Sequence, residues 1–239
     1  MKVATQLFLL CTLCIFSAGG DSPPVFTAQP PSTFLAVEGH NSTLKWTYNF
    51  GNGSFRQLIF LRNFDILVDK IYNDVPPYAT PAYVGRLLVN VTDTYASITF
   101  LGVKRTDSTD YALKIVSKKR QSADSLVEIS VQFIPAVAID GDQQQFVPVG
   151  NEILLTCRYN ASPPASEVQW IKDGNVIATN GSLQISDSRV TIPHHNESQV
   201  QLSIINATTS QDAGNYTCLV INDVGNSSDT TSIFIKGVF

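Results

Sequence analysis

Among its 239 residues the chain has three histidines, four cysteines and one methionine, and only 15% of its residues are charged. Each scarcity excludes something. His40, His194 and His195 stand without a cysteine or carboxylate at ligand spacing, so no zinc signature is present and all three read as surface turn residues. Asp140-Gly-Asp142 lacks the further oxygen ligands of a calcium loop and reads as a turn. There is no glycine-rich phosphate loop and no nucleophile elbow, and no nucleophile, base and orienting group fall into a known pattern. The sequence therefore points away from an enzyme, and it assigns no catalytic residue, metal ligand or cofactor. Acidic residues outnumber basic ones by 20 to 16, which argues against a phosphate-backbone footprint and a nucleic-acid partner. No apolar run beyond the first 20 residues approaches the ~18 needed to cross a bilayer. No long window holds a 3.6-residue apolar period either, which argues against helices.

What is present begins with Lys2, an apolar run from Leu7 to Phe16, and the small residues Ser17-Ala18-Gly19-Gly20. This is the pattern of a secretory signal peptide over residues 1–20, and it removes Cys11 and Cys14. The mature chain then has 15 basic and 20 acidic residues, a net charge of −5. It reads as secreted, or as a cell-surface fragment whose membrane anchor lies outside the sequence. In an oxidising compartment the remaining pair, Cys157 and Cys218, is expected to form a disulfide. Nine Asn-x-Ser/Thr sequons, at Asn41, Asn52, Asn90, Asn160, Asn180, Asn196, Asn206, Asn215 and Asn226, are a second sign of secretion and mark expected glycosylation sites.

Short runs rich in Val, Ile, Thr, Tyr and Phe alternate with turn signals such as Asp173-Gly174 and Asn180-Gly181. The runs Gln199–Ile205 and Ile129–Phe133 alternate apolar and polar residues as half-buried strands do. The class is all-β, a sandwich, and about 219 mature residues suit two domains of about 100 each. Ile134-Pro135 is the expected boundary, because a proline there limits pairing and stiffens the step. The expected organisation is a signal peptide over 1–20, a first domain over 21–134 and a second over 135–239, joined as a semi-rigid tandem.

The two halves align with each other. Seven positions separate Gly150 from Cys157, and seven separate Gly39 from Trp46. Asp212-Ala-Gly-Asn-Tyr216-Thr-Cys218 aligns with Asp107-Ser-Thr-Asp-Tyr111-Ala-Leu113. Trp46 and Leu113 thus occupy the cysteine positions of the first half.

Cys157, Trp170 in Trp-Ile-Lys-Asp-Gly174, and Asp212-x-Gly-x-Tyr216-x-Cys218 resemble the strand B cysteine, strand C tryptophan and strand F tyrosine corner of the immunoglobulin superfamily. The resemblance implies two tandem immunoglobulin-like β-sandwiches. The second resembles the I-set. The first resembles a variable-type domain without its disulfide, with extra strands between residues 64 and 85. It further implies that Trp46 and Leu113 fill the space of the missing bridge, that Trp170, Tyr111 and Tyr216 are core residues, and that Arg86–Asp107 and Arg189–Asp212 are structural ion pairs. No strand C tryptophan is evident in the first domain; Leu58, Ile59, Phe60 and Leu61 are the candidates, and parity alone does not decide which pair faces inward.

Family members typically make contacts through the sheet of strands C, C′, F and G. In the first domain residues 55–72 and 109–133 are expected to form it, and they contain no sequon. If Tyr111 and Leu113 face inward, Asp110, Ala112, Lys114 and Val116 face outward. Arg56, Arg62, Lys114 and Val116 are therefore the candidate partner-binding residues. The expected function is extracellular adhesion or immune-type recognition of a protein, another immunoglobulin-like domain of the same or a different chain. A secreted decoy or receptor ectodomain that takes a soluble ligand or a pathogen glycan is the alternative. The six sequons of the second domain make it a glycosylated spacer.

Overall fold

The computed structural model describes residues 22–51, 53–71 and 78–237. The segment read as a signal peptide, with Cys11 and Cys14, and the sequon at Asn52 lie outside the described residues.

The first half contains β1 (Val25–Ala28), β2 (Thr33–Val37), β3 (Ser42–Asn49), β4 (Phe55–Arg62), β5 (Asp65–Ile71), β6 (Tyr78–Ala79), β7 (Leu87–Val91), β8 (Tyr95–Phe100) and β9 (Thr109–Ser117). A long strand, β10 (Ser122–Ile139), leads into the second half. There follow β11 (Gln144–Pro148), β12 (Ile153–Ser162), β13 (Glu167–Lys172), β14 (Asn175–Thr179), β15 (Ser182–Leu183), β16 (Val190–Thr191), β17 (His195–Asn196), β18 (Gln199–Ile204), β19 (Gly214–Asn222) and β20 (Gly225–Lys236). The fold is all-β, with two sandwiches in tandem. In the first, β1-β3-β8-β7 faces β2-β10-β9-β4-β5-β6; in the second, β16-β18-β12-β10 faces β11-β20-β19-β13-β14-β15.

Alternation along the strands decides what is buried. In β9 every second residue from Tyr111 to Ser117 is buried, and β19 repeats the pattern from Tyr216 to Asn222. The inward sets form two separate cores, one from Ala36 to Val131 and one from Ile139 to Ile233. β10 belongs to both sandwiches. It pairs antiparallel with β9 up to Ile129, opposite Thr109, and with β12 from Phe133 to Ile139. The register shifts between Phe133 and Ala136, a stretch that contains Pro135, which cannot donate to a ladder.

In the second core Cys157 and Cys218 are bonded, with Cα atoms 6.3 Å apart. The first core has aromatic packing there instead. Trp46 on β3 meets Phe60 on β4 edge to face at 6.0 Å, and Phe60 stacks on Tyr111 at 5.4 Å. Leu113 pairs with Phe60 across the strands and is fully buried. Phe60 therefore occupies in the first domain the position that Trp170, paired with Cys218, holds in the second.

Candidate functional site

The base of each sandwich is built alike. Tyr111 donates its hydroxyl to the Asp107 carbonyl at 3.0 Å, and Tyr216 donates to the Asp212 carbonyl at 2.8 Å. Burial pushes both phenols up, so both remain protonated donors. Arg86 lies 2.6 Å from Asp107 and Arg189 lies 2.8 Å from Asp212. Burial alone would raise the Asp212 carboxyl, but hydrogen bonds from Arg189 and from the Thr208 backbone outweigh it and hold the group below its usual value. These groups face one another and satisfy one another's charge and hydrogen bonds. Among the described residues no cluster of His, Cys, Asp and Glu could hold a metal ion. Asp140 is occupied with Arg158, 3.0 Å away.

The outward face of the β5-β4-β9-β10 sheet has a different character. Tyr111, Leu113 and Ile115 face inward, so Ala112, Lys114 and Val116 face outward. Leu58 and Phe60 are fully buried, so Ile59 and Leu61 take the outward positions on β4. The registers align these residues in rows. Ile66, Leu61, Ala112 and Leu126 run across four strands; the next row holds Ile59, Lys114 and Asp124. Because alanine is short, Ala112 leaves a groove between Leu61 and Leu126. Asn63 and Phe64 close one end of it, with Asp110 and Glu128 at the margin. Leu126 is 71% exposed and Phe64 95% exposed.

Phe64 is held there by an unfavourable backbone. The β4–β5 turn places Asn63 at φ 47° and Phe64 at φ 71°. The matching turn of the second domain uses Asp173 at φ 47° and Gly174 at φ 84°. Glycine tolerates that region freely, whereas a side chain costs about 1–2 kcal/mol there.

The four residues proposed from sequence fare differently. Lys114 lies in the face and pairs with Asp124 at 3.5 Å, a half-exposed contact worth little in water. Val116 is half-buried at its end, paired with Gln57. Arg56 sits in a register shift between Phe55 and Gln57, beside the sheet's regular part. Arg62 does not belong to the face. It continues the inward parity of Leu58 and Phe60, opposite Tyr111, and its Nη2 donates to the Thr106 carbonyl at 2.7 Å. β4 ends there, so the long side chain runs along the sandwich base and leaves its head at the edge. Leu61, Phe64 and Leu126 went unassigned by sequence, as did Ser125, whose hydroxyl accepts the Trp46 Nε1–H at 2.9 Å inside the core.

Sequon positions complete the surface. The asparagines of the eight described sequons are all exposed. Asn41 precedes β3 and Asn90 lies on β7, both belonging to the opposite sheet.

Residues 135–222 match the family model described as an immunoglobulin domain. "Protein turtle" of Drosophila melanogaster is 24% identical over 174 residues, which cover 70% of this chain and 10% of that protein. "Neural cell adhesion molecule 1" of Homo sapiens is 24% identical over 144 residues, 60% of this chain and 16% of that protein. "Contactin-4" of Homo sapiens is 33% identical over 90 residues, 38% of this chain and 8% of that protein. The chain thus spans no more than about a sixth of the length of these curated relatives. Among solved structures, the insect immune protein hemolin aligns over 92% of this chain and 48% of its own, with 16% identity and a TM-score of 0.54, a likeness of fold. No helix among the described residues is long and apolar enough to cross a membrane. Residues 135–222 are thus an immunoglobulin domain, and the chain as a whole folds as two immunoglobulin-like sandwiches in tandem.

Proposed function

We propose that this chain is a non-enzymatic extracellular recognition protein that binds another immunoglobulin-like domain through the outward β5-β4-β9-β10 face. The observation that carries the reading is the apolar row Ile66, Leu61, Ala112 and Leu126, with Phe64 projecting beside it, on a sheet whose strands contain no sequon. A contiguous apolar patch with a polar, charged margin is the usual anatomy of a protein interface. Glycans on Asn41 and Asn90 would sit on the opposite sheet, and no sequon lies within the strands of this one. Relatives whose names include cell adhesion support an adhesive role. One domain face buries at most a small interface, under about 1,200 Å² in total, so each contact is weak and adhesion relies on many copies.

The test is bead aggregation and size-exclusion chromatography of the glycosylated protein against itself and against an ectodomain library. Leu126→Arg puts a charge in the row and Lys114→Glu reverses the central cation; both positions tolerate change without loss of fold, because neither is core. Association lost in Leu126→Arg and weakened in Lys114→Glu is expected. Association that both variants retain in full rejects this face.

A further inference from the structure

On the second sandwich, β11 and β20 present an aromatic pair to solvent. Phe146 and Phe234 oppose each other in the parallel register, and their rings stack at 5.3 Å with 26° between planes. They are 55% and 44% exposed, unusual for an apolar pair on a surface. One side of Phe146 is taken by Lys236, whose Nζ lies 4.0 Å from the ring centroid. The strand order β11-β20-β19 puts the other end of the stack, Phe234, next to β19.

Asn215 occupies β19 at that point. It pairs with Ser232, and Phe234 lies two residues further along β20 on the same face. Such diagonal neighbours sit about 7–8 Å apart, within reach of long substituents. Asn215 opens the sequon Asn215-Tyr216-Thr217 and is exposed. Ser232 donates its hydroxyl to Asn215 Oδ1 at 2.7 Å, which orients the amide, while Nδ2 has no hydrogen-bond partner among the described residues.

We propose that the first N-acetylglucosamine of a glycan on Asn215 packs over Phe234, so that Phe146 and Phe234 form a platform for the protein's own carbohydrate. The electron-rich face of an aromatic ring attracts the positively polarised C–H groups on the apolar side of a pyranose. The sugar extends the sequence Lys236, Phe146, Phe234 by one more layer and covers the exposed ring. A protein partner fits this sheet poorly, because Asn226 at the start of β20 is a second exposed sequon on the same outward parity. The inference rests on the extracellular reading, since only the secretory route attaches the glycan.

The experiment uses the full chain from a glycosylating host. Site occupancy is read by mass spectrometry, and melting is followed for Asn215→Gln, Phe234→Ala and the double variant. Asn215→Gln also loses the Ser232 hydrogen bond, but does so in both backgrounds, so that contribution cancels. Expected are an occupied Asn215, a fall of about 4 °C in Tm for Asn215→Gln, and a distinctly smaller fall, that of the lost hydrogen bond alone, when Phe234 is already alanine. Sugar-ring protons of that glycan shifted upfield in the NMR spectrum of the unmutated protein give a second readout that needs no variant. Equal falls in both backgrounds, or sugar protons without the shift, overturn the proposal. An empty Asn215 among occupied sequons overturns it and leaves the extracellular reading standing, whereas no occupancy at any sequon overturns both.

Discussion

Trp46 shows what replaces a disulfide when the chain supplies none. A covalent bridge needs only two sulfurs within reach, but a tryptophan in the same place brings a polar N–H into a dry core. That group must find an acceptor or cost about 1–3 kcal/mol. Ser125, on the inward parity of β10 opposite Leu113, supplies it at 2.9 Å. In the second domain the disulfide takes this place, and the tryptophan of that core, Trp170 on β13, keeps its Nε1 buried without a partner among the described residues. Ser125→Ala is accordingly expected to destabilise the first domain by about 1–3 kcal/mol. Trp46→Ala, which empties the space between the sheets, should cost about 3–5 kcal/mol. Circular-dichroism melts of the two variants check both numbers, and a Ser125→Ala melt that overlays the unmutated one removes Ser125 from the account.

At the scale of elements the β4–β5 hairpin sets stability against exposure. Its two turn residues both have positive φ, a conformation for which Asn-Gly or Asp-Gly is the usual choice. The second domain follows that rule with Asp173-Gly174, and the first places a phenylalanine there. Phe64→Gly is expected to raise the first domain's stability by about 1 kcal/mol, because it removes backbone strain and a side chain that buries almost nothing. If the proposed face is correct, the same variant binds more weakly, and opposite signs in a melt and an association assay identify a residue kept for contact. Unequal legibility of strands explains why sequence reached some of this face and missed the rest. β9 could be phased because Tyr111 and Leu113 fix its parity. β4 could not, since Leu58-Ile-Phe-Leu61 is apolar at four successive positions and a register shift at its start spoils counting from Phe55. Arg62 was consequently assigned outward, and Leu61 was not singled out as an outward residue. Leu126 escaped because its exposure follows from pairing with Ala112, a tertiary fact. The tyrosine corners and Arg–Asp pairs were readable because the resemblance to the immunoglobulin superfamily, carried by Asp107, Tyr111, Asp212 and Tyr216, implies them.

At the scale of the whole molecule, the joint between the sandwiches is built of more than a shared strand. Asn222, at the end of β19 and 4% exposed, uses both ends of its amide. Nδ2 donates to the carbonyls of Phe133 at 2.9 Å and Pro163 at 3.0 Å, while Oδ1 accepts from the backbone N–H groups of Val224 and Gly225, both at 3.1 Å. One side chain thereby fastens β10 to two turns of the second domain. From the other side, Arg105 lies 3.8 Å over the Phe133 ring and reaches Glu38 at 2.9 Å. Gly225 fits because a Cβ there would lie 2.8 Å from Ile134 Cγ2. A joint with these contacts resists bending, because opening it exposes polar groups that are paired when closed and leaves the continuous strand β10 and Pro135, which fixes φ, to set the direction. A glycan-bearing second domain that holds the first at a set angle would present the bare face in one orientation, which weak, multiply repeated contacts require. Asn222→Ala should therefore broaden the pair-distance distribution in small-angle scattering and cost about 1–3 kcal/mol in the melt of the second domain. A distribution and melt that match the unmutated protein would leave β10 and Pro135 as sufficient to hold the tandem, and would take the joint's stiffness away from Asn222.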